Sequence, residues 1–172
     1  GANGANTTAV FSGTGADGRS YVYLETLGGG FGGRAGKDGR DGVQVHITNT
    51  SNLPVEAIEL EYPLFVESYG FIPDSGGAGR HRGGLGLRRV QRPIGHNAVF
   101  SGTGERFRTR PWGVLGGRDG RSGRFVRLEA DGSETLLPGK SGDVAFGPEQ
   151  CIAIETPGAG GYGDPAGRRQ EA

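Results

Sequence analysis

The chain has 172 residues, with 19 Lys plus Arg against 19 Asp plus Glu, so its formal net charge is +0. That balance gives no general attraction to nucleic acid or to an anionic membrane surface, and a single Cys excludes an internal disulfide. The 37 glycines lie far above the usual share of about 7%, yet they follow no G-X-Y period, which excludes a collagen-like fibre, and the length suits one domain with a real core.

Periodicity along the chain favours strands. Tyr21 to Thr26 alternates Tyr21, Tyr23 and Glu25 against Val22, Leu24 and Thr26. Val43 to Thr50 places Val43, Val45 and Ile47 on one face and Gln44, His46, Thr48 and Thr50 on the other. Asn52 to Tyr62 is the exception: Asn52 is a possible cap, Pro54 sits near a first helical turn, and Ile58 follows Val55 by three residues, so a short helix or another strand is expected. Strands are further expected at Leu64 to Tyr69, Leu85 to Gln91, Ala98 to Ser101, Phe125 to Glu129, Glu134 to Leu137, Asp143 to Phe146 and Cys151 to Thr156. Asp131-Gly132 suits a tight primed turn and makes Phe125 to Leu137 the clearest hairpin. The glycines between apolar runs are read as suppliers of positive-φ turns. Ala9-Val-Phe-Ser-Gly-Thr-Gly15 recurs identically as Ala98 to Gly104, and each copy is followed by a Gly-Gly-Arg loop, at Gly32 to Arg34 and at Gly116 to Arg118. Either two related β-units face one another or a glycine-biased chain repeats by chance. The expected fold is mainly β, with glycine-rich antiparallel strands and hairpins in a sandwich- or barrel-like arrangement and at most one or two short helices.

Several residue groups carry candidate chemistry. Leu27-Gly-Gly-Gly-Phe-Gly-Gly33 follows a strand, and its backbone N–H groups can form a nest for an anion or oxyanion. The same glycines also suit a turn that needs only positive φ or close backbone contact, since the Lys and Ser/Thr of a P-loop are missing. The Gln44, His46, Thr48, Thr50 face offers four hydrogen-bonding groups, one of them titratable near neutrality; it fits a cleft wall over a polar substrate or the solvated side of an ordinary strand. His46, His81 and His96 are widely separated and Cys151 stands alone in an apolar run, so no metal spacing is seen and Cys151 reads as a small buried apolar residue. Ser12, Ser75, Ser101 and Ser141 lie in glycine turns without a G-x-S-x-G elbow. The basic run from Arg80 to Arg89, with Arg92 nearby, has the composition of a single-strand nucleic-acid binder, but a strand pattern runs through it and stacking aromatics are missing beside it, so no nucleic-acid partner is expected. Phe31, Tyr69, Trp112 and Tyr162 are candidate interface aromatics. With no signal-like start and no long apolar segment, no membrane association is expected and a cytoplasmic location is the default.

Five blocks in order resemble the C-terminal part of the hydantoinase B family. They are Tyr23-Leu-Glu-Thr-Leu-Gly-Gly-Gly30, Asp41-Gly-Val-Gln-Val-His-Ile-Thr-Asn-Thr50, Tyr62-Pro-Leu64, Pro73-Asp-Ser-Gly-Gly-Ala-Gly-Arg80 with Arg82-Gly-Gly-Leu-Gly86, and Thr156-Pro-Gly-Ala-Gly-Gly-Tyr-Gly-Asp-Pro165. The family comprises the B-type subunits or portions of N-methylhydantoinases, oxoprolinases and caprolactamase, with relatives in acetone and acetophenone carboxylases. Its members are considerably longer, and this chain opens on Gly1 and contains no Met, so it is read as a C-terminal fragment: a β-rich domain over 1–165 and a polar tail over 166–172.

The resemblance implies an ATP-dependent hydrolase that opens a cyclic amide, in which a hydantoinase A-type subunit with a kinase-like fold uses ATP and Mg to phosphorylate the amide or carbonyl oxygen. It implies a divalent metal held by His and Asp residues of the N-terminal part of the B-type subunit, so no cofactor or metal ligand is carried over to this piece, which is expected to be inactive alone. The implied partners are the A-type subunit and the rest of the B-type subunit, in a hetero-oligomer. The runner-up is a component of an acetone or acetophenone carboxylase, and a purely structural interface domain is the third reading. If the domain lines an active site, Glu25, the Gly28, Gly29 and Gly30 turn, and His46, Asn49 and Thr50 are expected to converge.

Overall fold

Short alternating runs bounded by glycine leave the chain few ways to bury apolar surface except by stacking sheets. In the computed structural model, which describes residues 1–44 and 48–168, the strands are β1 (Thr7–Thr14), β2 (Ser20–Leu27), β3 (Leu64–Phe71), β4 (Leu87–Pro93), β5 (Ala98–Thr103), β6 (Arg124–Leu128), β7 (Glu134–Leu137), β8 (Lys140–Phe146) and β9 (Cys151–Glu155). They form a four-stranded sheet in the order β2-β1-β5-β8 and a five-stranded sheet in the order β3-β4-β9-β6-β7, with antiparallel pairing throughout. Phe11, Tyr23, Leu27, Phe100 and Phe146 of the first sheet share one buried cluster with Leu64, Val66, Phe125, Ile152 and Ile154 of the second. Phe100 meets Phe125 edge-on at 5.2 Å between ring centres. The fold is therefore a mainly β sandwich, closed at the centre by aromatic side chains from both inner faces.

The repeated heptapeptide explains the middle of the first sheet. Its two copies lie side by side as β1 and β5, with Phe11 opposite Phe100, Ala9 opposite Gly102 and Gly13 opposite Ala98. This pairing relates the copies by a local twofold axis through the two Phe residues, so both rings enter the same core. β1 is a strand that periodicity does not mark, because its outward face carries Val10 between Thr8 and Ser12 and blurs the alternation.

One helix, α1 (Val55–Glu61), joins β2 to β3 by way of the loop that precedes it. Ile58 is fully buried in the main core and Val55 packs beside it, which accounts for their spacing of three. Pro54 occupies the N-cap, and no side chain caps the helix. Asn52 does not act as the cap; its amide is engaged elsewhere, as described below.

Three local expectations are corrected. Among the described residues of Val43 to Thr50 no strand is found: Val43 makes only an isolated bridge to Gly29, and Gln44 and 48–50 have no strand pairing. Gly42 at φ 56° and Asn49 at φ 40° turn the backbone into the left-handed region at both ends, which an extended strand cannot accommodate. Val45, His46 and Ile47 lie outside the described residues, and Val43 and Gln44 are both half-buried, so alternation is not observed there. The Phe125 to Leu137 hairpin forms, but without the primed turn. Gly132 donates to the Glu129 carbonyl and Glu129 to the Ser133 carbonyl, with positive φ at Gly132 and not at Asp131. This is a longer loop closed by a left-handed glycine, and the Asp131 carboxylate accepts from the Ser133 N–H and hydroxyl.

The third correction concerns the glycines. Positive φ occurs at Gly4, Gly18, Gly36, Gly42, Gly95, Gly116, Gly132 and Gly163, but the densest glycine blocks serve a different need. Segment 158–161 is wholly buried and threads between other segments. Gly158 donates to the Arg121 carbonyl, Ala159 to Gly84, Gly160 to Gly1 and Gly161 to Arg118. The same neighbouring segment returns after three residues, the period of a polyproline II-type extended chain, which has no internal hydrogen bonds and must find partners outside itself. The carbonyls of Pro157, Ala159, Gly160 and Gly161 accept in turn from Gly30, Gly77, Gly33 and Val114. Backbones approach so closely that a Cβ on Gly83 would overlap the Ala159 carbonyl, whereas one on Gly70 would meet nothing within 4 Å. Accordingly, Gly83→Ala is expected to cost at least about 3 kcal/mol and Gly70→Ala to be neutral or slightly stabilising. Urea denaturation of both variants beside the parent chain measures the contrast.

Candidate functional site

The inner face of the sandwich carries one charged cluster. Glu25 of β2 is in phase with Tyr21 and Tyr23, and Arg89 of β4 is in phase with Leu87 and Gln91, so each strand points an ionic group inward. Arg89 is completely buried and Glu25 is 9% exposed. The Arg89 guanidinium pairs with the Glu25 carboxylate, and the Tyr23 hydroxyl donates to the same carboxylate. The other Glu25 oxygen accepts from the Asn52 amide at 2.8 Å and from the Leu53 N–H at 2.7 Å. Tyr69 of β3 donates to Asn52 at 3.0 Å, and the Arg89 guanidinium lies 5.3 Å from the Tyr69 ring centre. Burial alone would raise the Glu25 carboxyl, but the Arg89 charge and the hydrogen bonds from Tyr23, Arg89 and Asn52 outweigh it and hold it below its ordinary value. Burial pushes the Tyr23 and Tyr69 hydroxyls up, so both remain donors at neutral pH. Arg89 Nε and Nη1 and both amide atoms of Gln91 have no partner among the described residues, marking a polar interior beside the pair.

A second polar group lies where the glycine turn meets the 44–53 loop. Gly29 exchanges two hydrogen bonds with Val43, at 3.1 and 2.7 Å, and Gly30 donates to Pro157. The N–H groups of Gly29 and Gly30 are thus engaged with backbone carbonyls. Gln44 donates to the Thr26 carbonyl at 2.8 Å, Asn52 to the same carbonyl at 2.9 Å, and Asn6 to the Thr48 hydroxyl. Both amide atoms of Asn3, the Thr7 hydroxyl, and the side-chain carbonyls of Asn6 and Gln44 are buried without a partner among the described residues. Asn3 sits against Gly29, and Thr7 is opposite Leu27. The structure therefore gathers Glu25 and the Gly28 to Gly30 turn with the described ends of the loop, while Asn49 and Thr50 are exposed at its rim and His46 lies outside the described residues.

Arg89, Asn52 and Asn3 escape sequence reasoning as site residues, although one signal is available: a charged residue in phase with the apolar positions of a strand, at both Glu25 and Arg89, marks a buried pair. The remaining motifs take structural roles. The basic run is consumed internally: Arg82 makes a two-pronged pair with Asp41 at 2.6 and 2.9 Å, Arg80 bonds the Gly167 carbonyl, Arg88 bonds Glu155 and Arg89 bonds Glu25. Ser75 is fully buried, donating to Ile72 and accepting from Gly86. Cys151 is half-buried rather than enclosed, and its surroundings raise its thiol pKa. Phe31, Tyr69 and Trp112 are exposed, whereas Tyr162 is half-buried beside His81. Among the described residues no three His, Cys, Asp or Glu side chains converge as metal ligands, and no helix is long and apolar enough to cross a membrane.

The same fold and blocks recur in known proteins. The model of the family described as hydantoinase B/oxoprolinase matches residues 1–165. An uncharacterized protein of Methanocaldococcus jannaschii is 45% identical over 148 residues, which cover 86% of this chain and 26% of that protein. A putative B-type subunit of a D-/L-hydantoinase from a Pseudomonas strain is 34% identical over 152 residues, 88% of this chain and 26% of that protein. The nucleotide-free structure of an acetone carboxylase shares the fold, with a TM-score of 0.75 at 16% identity, over 95% of this chain and 26% of that one. The chain thus spans about a quarter of the length of these proteins.

The buried ion pair sets a pH dependence. Glu25 titrates lower in the folded chain than its ordinary value of 4.5, so its stabilisation is complete above roughly pH 5 and is lost as pH falls through the folded value. Glu25→Gln leaves Arg89 buried and uncompensated and should cost about 3–5 kcal/mol at neutral pH, while flattening part of the acid limb of the stability profile. Glu25→Leu combined with Arg89→Met should lose less than either single change. Urea titrations at several pH values read all three.

Proposed function

Because the chain belongs to the hydantoinase B/oxoprolinase family, we propose that it is the C-terminal β-rich part of the B-type subunit of an ATP-dependent cyclic-amide hydrolase. In this reading it packs against the rest of that subunit and against an A-type partner, and it supplies one wall of the active site. The observation that carries it is the match of the family over residues 1–165. The proposed substrate class and partner arrangement follow the putative D-/L-hydantoinase component among its relatives.

The local chemistry supports that assignment. A cyclic amide presents an N–H donor and a carbonyl acceptor in a fixed orientation. Groups of both kinds lie unpartnered behind the glycine turn, the Asn3 amide nitrogen and Thr7 hydroxyl as donors and the Asn3, Asn6 and Gln44 side-chain carbonyls as acceptors; Asn3 and Thr7 are fully buried, so they back the proposed wall rather than meet the substrate. Glu25 is not a free general base in this arrangement, because its carboxylate is saturated by Arg89, Tyr23, Asn52 and Leu53. Its role is positioning: it ties the start of α1 and the end of the loop to β2. In this reading His46, Asn49 and Thr50 contact or orient the substrate. Phosphoryl transfer from ATP and metal-assisted steps belong to the A-type partner and the remainder of the B-type subunit.

In the complete two-subunit enzyme, His46→Ala and the paired change Asn49→Ala with Thr50→Ala should each lower ATP-dependent ring-opening turnover roughly ten- to a hundredfold. Asn49 and Thr50 are exposed, so assembly measured by size-exclusion chromatography should be unchanged for the paired variant. Turnover at the parent level in both variants would leave this domain with an assembly role alone.

A further inference from the structure

Away from the loop site, the outer face of the second sheet holds an unusual charge arrangement. Glu155 of β9 is buried, its side chain only 3% exposed, and three arginines converge on it. Arg121 reaches one oxygen at 2.7 Å, Arg124 spans both oxygens at 2.8 and 3.0 Å, and Arg88 lies at 3.2 Å. Burial alone would raise the Glu155 carboxyl, but the Arg124 hydrogen bonds and the charges of Arg121 and Arg124 hold it below the ordinary carboxylate value. One carboxylate cannot neutralise three guanidinium groups.

The excess positive charge borders an open groove of about 440 Å³ lined by Arg108, Arg110, Arg121 and Arg124 over a floor that includes Leu136, Leu137 and Pro138. Among the described residues no carboxylate lines it. Among the described residues, the only acids that pair with its arginines are Glu155 and, at 3.3 Å from Arg124, Glu134. Arg108 and Arg110 are exposed and have no hydrogen-bond or ion-pair partner among the described residues, in a chain whose overall charge is zero. Their presentation is enforced from below: Phe107, between them and Arg106, packs against Phe125 at 4.8 Å in a seat bounded by Gly104, Gly123 and Gly139. Arg106 is drawn off to the Trp112 ring, 4.4 Å away.

We propose that this groove is a docking site for an acidic, amphipathic peptide segment of a protein partner, with carboxylates meeting Arg108, Arg110, Arg121 and Arg124 and an apolar side chain seated on Leu136. Charge complementarity selects the acid. The aliphatic floor, with Leu136 69% exposed, selects a peptide over nucleic acid, because the one ring in the groove is packed into the core and cannot serve as a stacking platform. A small inorganic anion would fill little of the volume and would leave that floor wet. The site is independent of the active-site reading given above, since it shares no residue with the 44–53 loop.

The test uses the 172-residue chain and a fluorescein-labelled Glu-Glu-Leu-Glu-Glu-Leu peptide, followed by fluorescence anisotropy. Saturable binding is expected, weakening roughly tenfold from low to high salt because exposed charges are screened. Arg108→Glu combined with Arg110→Glu should raise Kd at least about tenfold at unchanged thermal midpoint, since both side chains are exposed and unpartnered among the described residues. Leu136→Ser, which leaves every charge in place, should raise it severalfold, and a Gln-Gln-Leu-Gln-Gln-Leu peptide should not bind. Absence of binding, a Kd unchanged by the double charge reversal, or equal displacement of the peptide by inorganic tripolyphosphate would each overturn the proposal.

Discussion

The contact on which the rest of the molecule depends is the approach of glycine backbones around Ala159. Segment 158–161 sends its N–H groups to three different neighbouring segments and receives four more hydrogen bonds on carbonyls from 157 to 161. Such a chain has no hydrogen bonds of its own, so every buried polar group must be met by another segment at backbone distance. That requirement removes side chains from the neighbours: Gly30, Gly77, Gly83 and Gly84 all face carbonyls that a Cβ would strike. In place of an apolar core, this end of the molecule is held by hydrogen bonds between backbones. Its apolar burial is correspondingly small, and its order rests on the absence of Cβ atoms.

This glycine layer also determines what the sheets can present. β9 runs directly into it, so that 152–161 is a continuous buried run whose first part is a central strand and whose second part is the threaded segment. β2 enters it through Gly28 to Gly30, and β4 leaves it after Gly86. The strands that carry Glu25 and Arg89 are therefore anchored at the same end of the sandwich, which fixes the two ionic groups across the sheet interface. Ion pairs in such positions are seldom strong net contributors to stability, because desolvation offsets attraction. Here the pair also orders the loop, since the second Glu25 oxygen binds Asn52 and Leu53.

Charge on the outer surface follows a similar logic with the opposite outcome. The arginines of the Arg80 to Arg92 run have partners within the chain, including Asp41, Glu155, Glu25 and Glu67, and so cease to be a basic patch. Arg108 and Arg110 remain without partners among the described residues: their loop is held by Phe107 beside a face whose acids, Glu155 and Glu134, are already engaged by Arg88, Arg121 and Arg124. A run of basic residues in sequence thus says little about exposed charge, whereas the placement of acids across neighbouring strands says a great deal.

What the amino-acid order alone determined is the class of fold and the identity of most strands. Short β-prone runs bounded by turn residues are a local property, and β2, β3, β6, β7 and β9 form where those runs place them, with boundaries shifted by up to two residues; the burial of β2 alternates, whereas β9 is buried on both faces. The family blocks are legible for a related reason: glycine at fixed positions leaves a trace that survives in the bare sequence. The tertiary structure decided the rest. Residues 43–50 alternate in sequence as a strand would, but Gly42 and Asn49 take left-handed backbone and, among the described residues of the segment, Val43 makes only an isolated bridge to Gly29. Arg89 reads as one member of a basic run until β4 and β2 bring it to Glu25 across 64 positions of sequence. The glycines at 28–30 suit an anion nest, a positive-φ turn or close backbone contact, and only the packing of several distant segments selects contact, there and at 158–161. Each of these outcomes depends on which backbone lies opposite, and that is information no local pattern contains.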